Sequence, residues 1–331
     1  MEELLAGLRA AAEATRLRIL FALSHGECNV SELTQILGQS QPRVSRHLKL
    51  MSEAGLITRH KEGNWVLFRL RDGNAGGALA RAIVNLLPGS AAELTRDLAR
   101  LEDIRARRSE AASAYFRENA TRWEELRTLH VREEDVEQAM LRLAGPKPVR
   151  HHIDLGTGTG SLLRLFAGQA RQSVGLDQSR DMLSIARLNL ENAGLRHVQV
   201  RQGDIYALPF GDGAADFVTL HQVLHFLDDP ARALAEAARS LEPGGRLLIA
   251  DFAPHDLEQL RTEHAHRRLG IAAEHMAAWL QRAGLRLLRH DVLPPPWRKD
   301  DTGLTVSLWL AEKPAFAASP LPSPAGLEQA E

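Results

Sequence analysis

The 331-residue chain is 44% hydrophobic and 25% charged with a formal net charge of -1, the balance of a globular protein long enough for two domains. It has no run of about 18 apolar residues, which excludes a helical membrane span, and the start Met1-Glu2-Glu3-Leu4 lacks the basic and apolar regions of a signal peptide, so a cytoplasmic protein is expected. The single cysteine, Cys28, excludes an internal disulfide framework and any metal site built from several thiolates, so no metal is expected.

Leu4, Leu8, Ala11, Ala12, Leu17, Leu20 and Leu23 recur at helical spacing and predict one amphipathic helix over 4–24. A short helix follows over 29–37, with Asn29 as its cap, Glu32 three residues on and Gly38 as its stop. Ser40 caps a helix over 41–54, whose first turn tolerates Pro42. Ile57–His60 and Trp65–Leu70 read as two strands around the turn Glu62-Gly63-Asn64, with another helix over 75–87.

On the 41–54 helix, Val44, Leu48 and Met51 form one face, while Arg46, Lys49 and Glu53 form the other. A recognition helix needs that division, since one side packs and the other enters the major groove. Between Ser40 and Arg71 there are seven bases and only two acids, a local positive patch in a near-neutral chain. Ser40, Gln41, Arg43, Ser45, Arg46 and Lys49 are therefore candidate DNA contacts, and Arg59, Lys61, Asn64 and Arg69 would run along the phosphates as a wing.

Two stretches carry a resemblance here: Gly26-Glu27-Cys28-Asn29-Val30-Ser31-Glu32-Leu33, and Gln39-Ser40-Gln41-Pro42-Arg43-Val44-Ser45-Arg46-His47-Leu48 continuing to Ala54-Gly55-Leu56. Residues 5–88 resemble the ArsR/SmtB winged-helix repressors. The resemblance implies a homodimer paired through the first and last helices, reading palindromic double-stranded operator DNA. Asn29 and Ser31 stand where arsenic- and cadmium-sensing members carry cysteines. The lone Cys28 cannot make a soft-metal site and is expected to be a small buried hydrophobe.

Pro88-Gly89-Ser90 marks the end of this first domain, and residues 89–144 read as a charged helical linker and cap. Gly145-Pro146-Lys147-Pro148 then opens a domain over 145–311 in which strands and helices alternate, as in a mostly parallel sheet covered on both faces. Residues 312–331, rich in Pro, Ala and Ser, read as a disordered tail.

The first strand of that domain runs into a glycine turn, His152-Ile153-Asp154-Leu155-Gly156-Thr157-Gly158-Thr159-Gly160-Ser161, then into a helix over 162–167. A second strand, Val174-Gly175-Leu176-Asp177, ends on a carboxylate 23 residues after Asp154. Glycines let backbone N–H groups approach a nucleoside ligand, and a distal acid takes its ribose hydroxyls. The dinucleotide fingerprint would need glycine at position 161, which is serine, so a nicotinamide reading is weakened.

Further segments follow in order: Asp177-Gln178-Ser179-Arg180-Asp181-Met182-Leu183, Gly203-Asp204-Ile205-Tyr206-Ala207-Leu208-Pro209-Phe210, Asp216-Phe217-Val218-Thr219-Leu220-His221 and Leu241-Glu242-Pro243-Gly244-Gly245-Arg246-Leu247. Leu285–Leu293 and Leu304–Leu310 suit a closing antiparallel pair. This arrangement resembles the class I S-adenosylmethionine-dependent methyltransferases and implies their seven-stranded, mostly parallel Rossmann-like fold. The resemblance places cofactor contacts at Asp154, Gly156, Thr157, Gly158, Gly160, Asp177, Gln178, Met182, Gly203, Asp204, Ile205 and His221. The glycines would lie by the methionine moiety, Asp177 by the ribose and Asp204 and Ile205 by the adenine. Tyr115-Phe116 to Trp123 resembles the helical cap of these enzymes, with plain inter-domain packing as the alternative.

His221 and His225, at the end of the fourth strand, are candidate bases. Glu263–Arg268, within a run that also holds His255 and His275, reads as a lid or acceptor-site helix, with a solvated helix face as the alternative, and the histidines match no common metal spacing. Two functions fit. One is a transcriptional regulator whose second domain binds S-adenosylmethionine or S-adenosylhomocysteine, controlling methionine and methyl-cycle genes. The other is a methyltransferase acting on a small molecule, with a DNA-binding domain attached. Arsenite as the acceptor is disfavoured, because the second domain has no cysteine.

Overall fold

The computed structural model describes residues 1–62, 65–71, 75–120, 132–195, 197–294 and 303–315. The N-terminal part is a winged helix-turn-helix: helices α1 (Glu2–Ala11), α2 (Ala14–Ser24), α3 (Val30–Leu37), α4 (Gln41–Glu53) and α5 (Ala75–Leu86), with strands β1 (Cys28–Asn29), β2 (Ile57–Glu62) and β3 (Trp65–Leu70). The sheet order is β1-β3-β2, so the wing hairpin is completed by the short strand before α3. Ile19, Leu20, Leu33, Ile36, Val44, Leu48, Met51, Leu56 and Ile57 are buried together in its core. Cys28 is 1% exposed in the same core, the position of a small hydrophobe.

The helix expected over 4–24 is two helices. Glu13 is extended (φ -162) and its side chain accepts from Arg16 N, capping α2. The apolar repeat continues across Ala12–Glu13, which hides the break from periodicity, whereas a capping carboxylate stops the incoming helix and starts the next. Asn29 and Glu32 form the expected capping box at α3, each side chain bonded to the other's backbone N–H. Gly38 ends α3 in the left-handed conformation (φ 63). Ser40 occupies the N-cap position of α4 without a side-chain cap bond, and Pro42 fits its first turn.

Helix α6 (Ala92–Asn119) is 28 residues long, and α7 (Glu133–Ala144) follows. Seven strands then form one sheet: β4 (Val149–Leu155), β5 (Ala170–Asp177), β6 (Val198–Gln202), β7 (Ala215–His221), β8 (Leu241–Phe252), β9 (Arg286–Leu293) and β10 (Val306–Glu312), in the order β6-β5-β4-β7-β8-β10-β9. All neighbouring pairs are parallel except β10, antiparallel to both β8 and β9. Helices α8 (Ser161–Phe166), α9 (Arg180–Asn192), α10 (Pro230–Ser240), α11 (Gln259–Glu263) and α12 (Ala273–Arg282) complete the Rossmann-like domain. Its two faces carry separate apolar clusters, one built on Val218, Ile249, Trp279 and Trp309, the other on Phe166, Phe217, Leu248 and Leu308. Strands β5 and β7 both flank β4, so a crevice opens at the carboxyl ends of these strands, where open α/β sheets bind ligands.

Two expectations are corrected. Residues 264–268 are not helical. Helix α11 ends at Glu263, and Ala265 is left-handed (φ 56), a conformation that a β-carbon disfavours and that interrupts a helix. The expected tail begins later than 312, because Glu312 pairs with Arg246 and Lys313 N donates to Gly245 O. Residues 316–331 lie outside the described residues. No described helix is long and apolar enough to cross a membrane.

Candidate functional site

The glycine turn is built by a polar network beneath it. His152 Nε2 lies 2.8 Å from Thr219 Oγ1, and Thr219 Oγ1 donates to Asp154 Oδ1 at 2.6 Å. Thr157 Oγ1 donates to the other oxygen, Asp154 Oδ2, at 2.7 Å. Burial pushes the His152 pKa down to about 3, so the ring is neutral and donates from Nε2 to Thr219. Asp154 thus anchors the turn by tying β4 to β7 and to Thr157. Gly156 is left-handed (φ 70), and a β-carbon there would stand 2.5 Å from Val223 Cγ2. Only glycine leaves the backbone that open.

Asp177 closes the other side. Its Oδ2 accepts from Gly158 N and its Oδ1 from Ser179 N, both at 2.8 Å. Burial raises its pKa, and the N–H groups of Ser179, Gly158 and Gln178 offset this only in part. A half-buried carboxylate at the tip of β5, facing the cavity with acceptor capacity left over, is a site for hydroxyl donors.

These groups line one cavity of about 370 Å³. Of the twelve predicted cofactor residues, Asp154, Gly156, Thr157, Gly158, Asp177, Gln178, Met182, Gly203, Asp204, Ile205 and His221 all line it. Gly160 does not. It stands at the start of α8 (φ 84), where a β-carbon would touch Ala186, so it serves the packing of the turn. Asp204 also caps its own turn, accepting from Tyr206 N at 2.8 Å.

The far end of the cavity comes from distant segments. Phe116, at the end of α6, meets Phe226 edge to face with ring centres 4.8 Å apart. Tyr115 OH is 2.8 Å from His264 Nδ1. Trp123, expected in the same cap, lies outside the described residues. Val223, Leu227, Asp228, Arg261, His266 and Arg267 complete the wall. Nothing local in the sequence marks Phe226, Asp228 or Arg261, whose place is set by the chain returning over the crevice. Among the described residues, the two non-glycine positions with left-handed backbone are Gln222 (φ 54) and Ala265, and both line this cavity. Such strain gathers at functional sites.

The two candidate bases differ in access. His221 lines the cavity, with Nε2 3.5 Å from Glu133 Oε2. His225 is 1% exposed and stands behind the wall, with Nδ1 2.7 Å from Asp251 Oδ1. Its ring lies 4.2 Å from that of His266, which does face the cavity.

On the winged helix, Ser40, Gln41, Arg43, Ser45, Arg46 and Lys49 are all exposed along one side of α4. Arg59 is exposed on β2, only the backbone of Lys61 is described, and Asn64 lies outside the described residues. Arg69 is corrected: alternation along β3 puts it on the face opposite the core residues Val66, Phe68 and Leu70, where its side chain is only 16% exposed and its Nε lies 4.0 Å from Glu27 Oε1.

Helix α6 belongs to both halves. Leu101 and Ile104 are buried in the winged-helix core. Asp97, 1% exposed, receives a fork from Arg18 at 2.6 and 2.7 Å. Arg100 donates to Ile36 O, and Arg105 to His25 O. The other end of the same helix delivers Phe116 to the cavity.

Comparison with known proteins agrees with this division. The family of bacterial regulatory proteins, arsR family, matches residues 13–59, and the methyltransferase domain family matches residues 153–249. An uncharacterized 37.1 kDa protein in a Streptomyces fradiae transposon is 41% identical over 115 residues, 34% of this chain and 33% of that protein. The demethylmenaquinone methyltransferase of Thermus thermophilus is 41% identical over 114 residues, 34% of this chain and 51% of the enzyme. The chain thus spans a third to a half of the length of these curated relatives. A solved complex between the Haloferax volcanii Trm112 methyltransferase activator and a methyltransferase has a chain similar at 24% identity and TM-score 0.51, covering 61% of this chain and 97% of that one. That likeness shows the fold.

Proposed function

Because the chain joins an ArsR-type helix-turn-helix to a class I methyltransferase domain, we propose that it is a DNA-binding transcriptional regulator that responds to S-adenosylmethionine or S-adenosylhomocysteine. The supporting observation is α6, one helix packed in the winged-helix core at one end and walling the adenosyl-type cavity at the other. A helix of 28 residues spans about 42 Å at 1.5 Å per residue. The cavity fits an adenosyl sulfur compound: glycine backbone at Gly156 and Gly158 admits close approach, and the half-buried Asp177 carboxylate meets hydroxyls. S-adenosylmethionine carries a sulfonium charge that its demethylated form lacks, so the two can be told apart electrostatically. This would suit genes of the methionine and methyl cycle.

The reading is tested by titrating DNA binding with each ligand. Coupling between two such sites is commonly about 5–150-fold in affinity. DNA affinity that neither ligand changes would sink the proposal. Arg46→Ala is expected to weaken DNA binding by about 1–3 kcal/mol if it reads a base, or to lower the salt slope by about 1 if it meets a phosphate. Ligand affinity should stay as in the wild type. Loss of both would contradict the separation of the sites.

A homodimer is part of the same proposal. Leu4, Leu5 and Leu8 of α1 are 42–44% exposed, and Leu86 at the end of α5 is 84% exposed. These apolar side chains lie on the two helices through which the resembling family pairs. Leu4→Glu with Leu8→Glu is expected to halve the particle mass in light scattering, and an unchanged mass would place the interface elsewhere.

A second reading is favoured by the room at the cavity's far end, walled by Phe116, Phe226 and Leu227. The Thermus thermophilus relative is named as a demethylmenaquinone methyltransferase. On this reading S-adenosylmethionine supplies an electrophilic methyl group. The chain's own part is positioning and exclusion of water around a flat apolar acceptor. Transfer of labelled methyl to a demethylated quinol would establish it, and absence of transfer would leave the regulator alone.

A further inference from the structure

Two consecutive arginines reach across to the winged helix: Arg267, which lines the cavity, and Arg268 just behind it. Arg267 Nε lies 2.6 Å from Asp228 Oδ1, both residues lining the cavity, and its Nη1 lies 3.6 Å from Glu32 Oε1. Arg268 turns the other way, with Nη1 2.7 Å from Glu27 Oε2 and Nη2 donating to Asp228 O at 3.0 Å. Both backbone N–H groups donate to His225 O, so the segment moves as one piece with the wall.

The acids on the receiving side are structural parts of the DNA reader. Glu32 is the N3 residue of the α3 capping box and accepts from Asn29 N at 3.0 Å. Glu27 precedes β1, which pairs with wing strand β3, and Arg69 of β3 faces it. Helix α3 in turn packs on the recognition helix α4. The side chains of Glu27, Glu32, Arg267 and Arg268 are only 6–11% exposed. Charges held that dry depend steeply on the geometry of their partners, so a small shift of one is felt by the other.

We propose that Arg267 and Arg268 are the link by which occupancy of the cavity reaches the winged helix. This rests on the regulator reading. A ligand that moves the 264–268 wall, or draws Arg267 toward itself, redistributes Arg267 between Asp228 and Glu32. It thereby biases the seating of α3 and of the wing. Such a ligand acts through its different affinity for the two arrangements.

The test uses the full chain, S-adenosylmethionine and S-adenosylhomocysteine as probes, and a duplex that the wild-type protein selects from a random-sequence pool. The measured quantity is the ratio of ligand Kd with and without that duplex. Glu27→Gln combined with Glu32→Gln removes both carboxylates, while glutamine at N3 still serves a capping box. The wild type should show a ratio of about 5–150, and the double variant should fall within about twofold of unity, with ligand and DNA each still bound. Should the double variant not fold, Arg268→Gln tests the same link, since Arg268 does not line the cavity, and the ratio should drop at least about threefold. No coupling in the wild type overturns the regulator reading and this link together. Coupling that survives in the folded variants overturns the link alone.

Discussion

Asp177→Ala is expected to abolish binding of both adenosyl ligands in calorimetric titration. The carboxylate sits half-buried at the tip of β5, with one oxygen on Gly158 N and the other on Ser179 N. It therefore holds the glycine turn and faces the cavity at once. Hydrogen bonds to a charged acceptor contribute about 1.5–3 kcal/mol each, so losing two to the ribose hydroxyls lowers affinity by about 10²–10⁴-fold. Gly158 and Ser179 also lose their acceptor, which loosens the turn and adds to the loss. DNA affinity without ligand should stay as in the wild type. A variant that binds either ligand within tenfold of the wild type would remove Asp177 from the site.

The same carboxyl sets a pH dependence. Burial raises its folded pKa above the ordinary aspartate value. Ligand affinity should therefore fall as pH drops through that raised pKa, since the protonated acid cannot accept from two hydroxyls. The stability of the ligand-free protein runs the opposite way. The contribution of this group is fully present below its unfolded pKa and is lost as pH rises through the folded one.

Arg18→Ala should destabilise the winged helix by about 3 kcal/mol, the low end of the range for breaking a buried pair. Arg18 grips Asp97 with two donors and also donates to Leu37 O at 3.1 Å. Asp97 is 1% exposed while Arg18 is 18% exposed, so removing the arginine strands a carboxylate that water reaches only in part. In a domain of this size about 1 kcal/mol moves the melting midpoint by about 4–8 °C, which calorimetry resolves. The effect extends beyond stability, because Asp97 belongs to α6. Amide exchange along 92–105 should quicken, and the ligand response of DNA binding should weaken as the helix loosens from α2. A change below about 1 kcal/mol would show that apolar packing alone, through Leu101 and Ile104, holds α6 in place.

Both predictions bear on how far the chain was legible from its residues. The glycine turn, the acid at Asp177, the capping box of Asn29 and Glu32 and the exposed face of α4 all depend on signals within a few positions: side-chain period, cap chemistry and backbone conformations that only glycine enters easily. The break at Glu13 is invisible to periodicity because the apolar period runs through it. Residues 264–268 carry a helical pattern in sequence because the left-handed turn at Ala265 has no marker residue.

The amino-acid sequence by itself determined the two domain types, the seven-stranded sheet and most of the lining of the glycine-turn cavity, since strand, turn and cap preferences act locally and appear in order. Tertiary structure alone decided that α6 serves both halves, that Arg69 faces Glu27 and not a phosphate, that His225 lies behind the wall with Asp251, and that Arg267 and Arg268 span to Glu32 and Glu27. Those pairs join residues as many as 241 positions apart. Their geometry comes from how buried charges find partners once the apolar cores have packed, which no local period records.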